Sequence, residues 1–173
     1  MNHDRYDDAY IRAILAETKT IAMVGASANS ARPSYLVLKY LLGRGYDVYP
    51  INPGLAGQEL LGRVVYGKLA DVPVALDMID VFRNSEAAGA SVDEALALLP
   101  PPKTIWMQLT VRNDEAAARA EAAGLRVVMN RCPKIEYGRL SGEIGWHGVN
   151  SRVISAKKST AGGGFQKLSI GEK

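Results

Sequence analysis

The sequence predicts a doubly wound α/β fold, in which a five-stranded parallel sheet carries helices on both faces and so forms three layers. Short apolar runs that suit strands alternate with longer segments whose apolar residues recur at helical spacing. The strand-like runs are apolar almost throughout, which is typical of parallel strands buried on both faces. Right-handed crossovers place the carboxyl ends of such strands on one edge, and a ligand is expected there.

The first third of the chain supplies a lead-in helix and a complete strand–helix–strand unit. Residues 1–18 are polar at the start and carry apolar residues at helical spacing from residue 4, which predicts an amphipathic helix that covers one sheet edge. In residues 20–53 a first strand ends at Gly25, a loop of small residues follows, and a helix begins near Pro33. Glycines stop this helix before a second strand, residues 46–51.

Three further strands and three further helices are predicted after this unit. Ser85 or a near neighbour caps a helix that runs to Leu99, with Val92, Leu96 and Leu99 as its buried stripe. Asn113 caps an alanine-rich helix that ends before a glycine. The predicted buried strands are residues 76–82, 104–108 and 125–129, a short irregular strand falls in 60–66, and a short helix covers 133–140.

The length and composition fit one globular domain with a short extension. The chain has 173 residues, 47% hydrophobic and 23% charged, so residues 1–150 are expected to form a single domain. The high pI, about 9.0, arises in residues 151–173, which hold five basic residues and one acidic residue. This segment therefore carries +4 and the rest of the chain −1, so we expect a basic flexible tail and no nucleic-acid partner.

The sequence contains no targeting or metal-binding pattern. No apolar run approaches the length of a membrane span, and the polar residues 1–8 do not resemble a secretion signal, so a cytoplasmic protein without a membrane partner is expected. Cys132 is the only cysteine, which excludes an internal disulfide and a multi-cysteine zinc site. No metal is expected.

The loop after the first strand suits a phosphate but not an ordinary NAD. Of the three fingerprint glycines only Gly25 is present, and Ser27 and Ser30 occupy later positions. NAD enzymes usually end the second strand with a carboxylate that binds the ribose, whereas this strand is followed by Asn52 and Pro53. The start of the next helix still offers unpaired N–H groups and a favourable dipole to an anion.

Arg32 supports the phosphate interpretation. It precedes Pro33, a favoured first residue of a helix, so its guanidinium can add a charge-assisted hydrogen bond to a bound phosphate. The hydroxyl of Ser34 can add another. The alternative is that Arg32 is a solvated surface charge, but its position at the strand edge favours ligand contact.

Several motifs in a fixed order identify a family. They are VGAS, RPS, YLLGRGYDVYPINP, IDVFR, IWMQL and NRCP followed by IEYGRL. Together they resemble the small stand-alone CoA-binding domain family, which is related to the CoA-binding N-terminal domain of the succinyl-CoA synthetase alpha subunit. The resemblance covers residues 18–140 and implies a Rossmann-like fold that holds coenzyme A or an acyl-CoA across the strand edge.

The resemblance also implies which residues would contact the ligand. The first loop and helix start would surround the phosphates, the end of the second strand would lie near the adenosine, and the ends of the other three strands would line the cleft. Pro53 and the ring of Phe82 could frame a flat slot for adenine. The implied residues are Gly25, Ala26, Ser27, Arg32, Pro33, Ser34, Asn52, Pro53, Phe82, Arg83, Gln108 and Asn130.

No catalytic residue is predicted. Succinyl-CoA synthetase uses a phosphohistidine and further domains, whereas this chain has His3 in a polar leading segment, expected to be solvated, and His147 in a glycine-rich turn, expected to be packed or exposed. Asp77 and Asp80 fall on opposite sides of the third strand and so form no acid–base pair. Asp80 shares the side of Phe82, which predicts a structural or ligand-orienting role.

Cys132 is the one candidate for a reactive group. It follows the fifth strand, beside Arg131 and Lys134 and at a helix start, and positive charge at such a place is expected to lower the pKa of the thiol. Such a thiol could form a mixed disulfide with the thiol of CoA. The alternative is a small buried cysteine that fills the core.

The leading functional hypothesis is a non-catalytic module that binds CoA or acyl-CoA as a carrier, sensor or regulator. The alternative is an enzyme, either an NAD(P)-linked oxidoreductase or an acyl-CoA enzyme that needs a partner subunit. The missing carboxylate after the second strand and the missing general acid favour the first hypothesis. The lead-in helix and the tail leave a homodimer or a partner enzyme open.

Overall fold

The computed structural model describes residues 1–142, and these form a five-stranded parallel sheet between two layers of helices. In chain order the elements are α1 (Asp8–Glu17), β1 (Thr20–Val24), α2 (Pro33–Gly43), β2 (Asp47–Ile51), β3 (Glu59–Leu60), β4 (Arg63–Val64), β5 (Met78–Val81), α3 (Ser85–Leu96), β6 (Thr104–Met107), α4 (Asp114–Ala122), β7 (Arg126–Val128) and α5 (Pro133–Ser141). The sheet has the order β2-β1-β5-β6-β7, and every neighbouring pair is parallel. The predicted fold class is confirmed.

The core lies on both faces of the sheet, because alternate residues of each buried strand point to opposite sides. On β5, Met78 packs with apolar residues of α1, α2 and α5, whereas Ile79 packs with residues of α3 and α4. Trp106 of β6 is fully buried on the side of Met78, and its indole N–H donates to the carbonyl of Arg131 at 2.8 Å. The strands are therefore apolar on both faces, as the sequence pattern predicts.

Asp77 ties the amino ends of three strands together, at the edge away from the predicted ligand. Its Oδ2 accepts hydrogen bonds from the backbone N–H groups of Lys19 (2.9 Å) and Thr20 (3.1 Å), and its Oδ1 lies 2.8 Å from the ammonium of Lys103. Burial alone would raise the pKa of this carboxyl, but the hydrogen bonds outweigh it and hold the pKa at about 2. Asp77 therefore points away from the cleft, as predicted.

The lead-in segment covers the edge strand β7. The hydroxyl of Tyr10 lies 3.2 Å from both the N–H and the carbonyl of Val127, and the hydroxyl of Tyr6 accepts from the N–H of Met129 at 2.7 Å. The buried residues of α1 pack on the sheet face beside α5. None of the helices in residues 1–142 combines the length and the apolar character that a membrane span needs.

Several local predictions were wrong. The first helix begins at residue 8, because Asp7 caps it by accepting from the N–H of Ala9. Helix α3 ends at residue 96, so Leu99 is 96% exposed and does not belong to the buried stripe. Residues 59–64 form a two-stranded antiparallel hairpin, not one strand, because Leu61 and Gly62 both adopt positive φ.

His3 is buried, although the sequence predicts a solvated residue. Its Nδ1 lies 2.9 Å from the hydroxyl of Tyr6, and its Nε2 lies 3.5 Å from a carboxylate oxygen of Glu121. Burial lowers the pKa of the imidazole, and Glu121 opposes that effect. His147 and the basic tail, residues 151–173, lie outside the described residues.

Candidate functional site

The carboxyl ends of the five strands form one rim, and the order of the sheet reverses there between β1 and β5. The chain leaves β1 toward α2 on one face and leaves β5 toward α3 on the other face. The two loops separate at this point and leave a crevice, which is where ligands bind in open α/β sheets. The residues implied by the family resemblance all lie along this rim.

Gly25 sits where the two loops touch, and no other residue fits there. Its φ is +90°, and a Cβ at this position would lie 2.4 Å from the carbonyl oxygen of Phe82. The neighbouring backbone is fixed, because the N–H of Phe82 donates to the carbonyl of Val24 at 2.8 Å. Gly25 therefore allows the backbone of the first loop to cross close to the end of β5.

The loop after Gly25 uses some of its N–H groups internally and leaves others for a ligand. The N–H groups of Gly25 and Ala26 both donate to the carbonyl of Ile51, at 3.0 and 3.2 Å. The N–H groups of Asn29, Ala31 and Arg32 bond within the loop as well. The backbone N–H groups of Ser27, Ala28 and Ser30 make no hydrogen bond to any residue in 1–142.

Asn52 fixes the same loop from the end of β2. Its side-chain amide donates to the carbonyl of Ala26 at 2.7 Å, and its Oδ1 accepts from the N–H of Gly54 at 2.9 Å. The side chain is therefore occupied by the protein, and Asn52 shapes the site by holding Ala26 and Gly54 in place.

Two arginines flank the crevice without an acidic partner. Arg32 precedes α2 and Arg83 precedes α3, and both are exposed. Neither forms an ion pair with any residue in 1–142. Pro33 is the first residue of α2 and is exposed, whereas Ser34 is buried beneath it. The rim therefore offers a helix N-terminus, loop N–H groups and two cations to an anion.

A pocket of about 190 Å³ opens beside Arg83, between the ends of β1 and β2 and the first turns of α3. The side chains of α3 that line the pocket are small, and this keeps the space open. Glu94 closes the far end of the pocket, and its Oε1 accepts a hydrogen bond from the N–H of Leu69 at 2.7 Å. The sequence reasoning missed the α3 part of the site, although the small residues of AAGAS at helical spacing give a signal for it. The lining residues are Val24, Ile51, Pro53, Gly67, Arg83, Ala87, Ala90, Ser91 and Glu94.

Phe82 does not line this pocket. It is half-buried and packs on the face of the sheet that carries α2 and α5, whereas Pro53 lines the pocket on the α3 side. The two rings therefore do not frame one slot in residues 1–142, contrary to the expectation. The cause is the two-residue period of β5, which sends Phe82 to the side of Met78 and Asp80.

Gln108 directly follows β6 at the rim, and its side chain binds a buried carboxylate. Its amide nitrogen donates to both oxygens of Asp80, at 2.8 and 3.1 Å, and Asp80 is fully buried. Burial raises the pKa of Asp80 to about 7, although the hydrogen bond from Gln108 lowers it. Asp80 thus shares the side of Phe82, as predicted, but this is the side that carries α2 and α5 and not the side of the pocket beside Arg83, and its carboxyl is occupied by Gln108.

Asn130 connects two loops at the other end of the rim. It is exposed with a φ of +53°, and its Oδ1 accepts from the N–H of Thr110 at 2.8 Å. Its own N–H donates to the carbonyl of Val111 at 3.1 Å. Asn130 therefore holds the loops after β6 and β7 together, away from the pocket beside Arg83.

The prediction of a low thiol pKa at Cys132 was wrong. Cys132 is buried, and burial raises the pKa of its thiol to about 11, with the nearby Asp80 carboxyl acting in the same direction. Lys134 and the backbone N–H groups at the start of α5 lower it by less. Among residues 1–142, no group of three or more His, Cys, Asp or Glu side chains could hold a metal ion.

Comparisons with known proteins agree with this geometry. The CoA binding domain family matches residues 19–138. The uncharacterized protein YneT of Bacillus subtilis is 33% identical over 129 residues, which cover 75% of this chain and 93% of YneT. A solved structure of a hypothetical protein from Pyrococcus horikoshii OT3 has a TM-score of 0.75 and 39% identity, and the match covers 82% of this chain and 97% of that one.

A larger enzyme contains a similar unit. Acetyl-coenzyme A synthetase 1 of Ca. Korarchaeum cryptofilum superposes with a TM-score of 0.55 at 28% identity, covering 65% of this chain but 26% of the synthetase. The family match extends over more than half of the sequence, from the end of α1 into α5. The chain therefore belongs to the CoA binding domain family.

Proposed function

We propose that this protein binds coenzyme A or an acyl-CoA along the rim and acts as a non-catalytic carrier, sensor or regulatory module. The observation that carries the proposal is the combination at one crevice of a helix N-terminus, free loop N–H groups and two arginines without acidic partners. Family membership supports CoA as the ligand.

The parts of CoA fit the parts of the rim. The pyrophosphate would lie over the loop N–H groups of Ser27, Ala28 and Ser30, near Arg32. The adenosine would enter the pocket beside Arg83, whose apolar walls are Val24 and Ile51. The pantetheine arm would follow the rim toward β6 and β7. The predicted contacts of Gly25, Ala26 and Asn52 are then indirect, because their polar groups shape the loop.

The non-catalytic role is supported by the state of the titratable groups beneath the rim. Asp80 is buried and bonded by Gln108, and the thiol of Cys132 is buried with a raised pKa. Neither group is exposed to act on a ligand as a general acid or as a nucleophile.

Calorimetric titration with CoA tests this function. Replacing Arg32 with Ala should weaken the binding of CoA by at least about tenfold, because a hydrogen bond to a charged group contributes roughly 1.5–3 kcal/mol. Lys39→Ala is the matched control, since it removes an exposed cation from the same helix further from the rim. It should change CoA affinity by less than about twofold.

The ligand series separates the candidate functions. CoA and acetyl-CoA should bind, and pantetheine, which has no phosphate, should bind weakly and equally to the wild type and to Arg32→Ala. An equal loss for CoA and pantetheine would show that Arg32 does not contact phosphate. Binding of NAD or NADP without binding of CoA would refute the proposal and favour the oxidoreductase alternative.

A further inference from the structure

Asp80 is a buried carboxyl with a neutral partner. Among the described residues, its one hydrogen-bond donor is the amide of Gln108, which contacts both of its oxygens. It is fully buried on β5, opposite Met23 of β1 and Trp106 of β6. Within residues 1–142, its charged form is therefore stabilised by an amide dipole alone, and no cation is paired with it.

The groups that surround Asp80 leave its charge uncompensated. The strands on either side present Met23 and Trp106, and the helices packed on this face present apolar residues, among them Val37 and Leu38 of α2. Within residues 1–142, the titratable group on which the charge of Asp80 acts is the thiol of Cys132 at the start of α5, which is neutral near pH 7. Lys134 acts on Cys132 but makes no ion pair with Asp80.

The site of this carboxyl is directly below the proposed ligand. Asp80 precedes Phe82 by two residues, and its neighbour on β1 precedes Gly25 by two residues, so the rim is about 7 Å away along the strands. CoA carries several negative charges, and the proposed function places its pyrophosphate over that rim. An anion there and an ionised Asp80 would repel each other through a water-poor interior.

We infer that Asp80 takes up a proton when CoA occupies the rim, so that binding of the anionic ligand is coupled to protonation and weakens as the pH rises through neutrality. The inference rests on the proposed function, because it needs the anion above Asp80. The buried carboxyl of Asp80 thus makes the affinity for CoA depend on pH, although Asp80 does not contact the ligand.

The direction of the effect follows from linkage. The pKa of Asp80 in the free protein is raised to about 7 by burial, and a nearby anion raises it further. A ligand that raises a pKa binds better to the protonated form, so its affinity is highest below neutral pH. If CoA raises the pKa of Asp80 from about 7 to about 8, the protein takes up about half a proton on binding at pH 7.5. CoA then binds about fivefold more weakly at pH 8 than at pH 6.

Calorimetry in buffers of different ionisation enthalpy measures the proton directly. Titration of wild-type protein with CoA at pH 7.5 should show uptake of about half a proton, and Asp80→Asn should abolish it. The 3′-phosphate of CoA titrates near pH 6 and contributes equally to both proteins, so the difference between them reports Asp80. Asp77→Asn is the matched control, because Asp77 directly precedes β5 at the opposite edge of the sheet and its replacement should leave the uptake unchanged.

Carbon NMR of the aspartate carboxyls keeps the test independent of whether Asp80→Asn folds. The resonance of Asp80 in the wild type should titrate near pH 7 without ligand and about one unit higher with saturating CoA. CoA that binds equally at pH 6 and pH 8, with an unshifted Asp80 titration, would overturn this inference and leave the proposed function standing. No CoA binding at any pH would overturn the proposed function itself.

Discussion

At the scale of single residues, Gly25 is the position that the rim depends on most. Replacing it with Ala should lower the free energy of unfolding by at least about 2 kcal/mol. The alanine backbone would be held at a φ of +90°, and its Cβ would clash with the carbonyl oxygen of Phe82. Urea unfolding followed by circular dichroism measures this change. Gly43→Ala is the control, since Gly43 ends α2 in open space and its replacement should stabilise by up to about 1 kcal/mol. Equal effects of the two substitutions would contradict the role of Gly25.

The amino-acid sequence predicted the residues that shape the backbone better than it predicted the surroundings of the titratable side chains. Gly25 and the cap Asn113 could be predicted, because each depends on a local conformation. The cap of α3 was predicted at Ser85 or a near neighbour, and it is Asn84, whose side chain accepts from the N–H of Ala87. His3 and Cys132 could not be predicted, because their burial is caused by segments far away in sequence: Glu121 lies beside His3, and Asp80 lies beside Cys132. Neighbouring charges in sequence were therefore a poor guide to the pKa of the thiol.

At the scale of elements, the lead-in segment protects the exposed edge of β7. Replacing both Tyr6 and Tyr10 with Phe should lower the free energy of unfolding by about 2 kcal/mol, because backbone groups of Val127 and Met129 lose their partners in a half-buried place. Hydrogen exchange should show faster exchange of the two amides. Both changes can be measured on the same protein.

Tyr35 provides a matched control for that double substitution. It is half-buried on α2, and its hydroxyl makes no hydrogen bond with residues 1–142, so Tyr35→Phe should leave stability within about 0.5 kcal/mol of the wild type. Unchanged exchange at Val127 and Met129 in the Tyr6 and Tyr10 variant would mean that water replaces the hydroxyls, and the protective role of the segment would be wrong.

The five sheet strands could be predicted because each is a short apolar run. The helices could be predicted because each has apolar residues at helical spacing and begins with a side-chain cap, as in α1, α3 and α4, or with a proline, as in α2 and α5. The hairpin of β3 and β4 could not, because its strands are two residues long and its turn uses Leu61, an unusual residue at positive φ. The end of α3 was placed three residues late, since Leu99 continues the apolar spacing after the helix has stopped. Apolar spacing indicates a helix but does not fix where its hydrogen bonds end.

At the scale of the whole molecule, the parallel topology makes the candidate site. Loops from β1, β2 and β5 come from distant parts of the sequence, and the right-handed connections bring them to one crevice. The rim as a whole could therefore be predicted from the order of the elements. The sequence could not predict which rim residues lie on which face of the sheet. That division depends on the exact register of β5, which places Phe82 on one side and Arg83 on the other.

The residues of the proposed site all fall within residues 1–142, and removal of the basic residues 151–173 tests whether the site is complete without them. The proposed ligand contacts fall between Val24 and Asn130, and the family match ends at residue 138. Deleting residues 151–173 should therefore leave the dissociation constant of CoA within about twofold of the full-length value. The deletion removes a net charge of +4, so any weak affinity for DNA, measured by fluorescence anisotropy at low salt, should fall sharply. A tenfold loss of CoA affinity with an unchanged melting curve would instead make the tail part of the binding site.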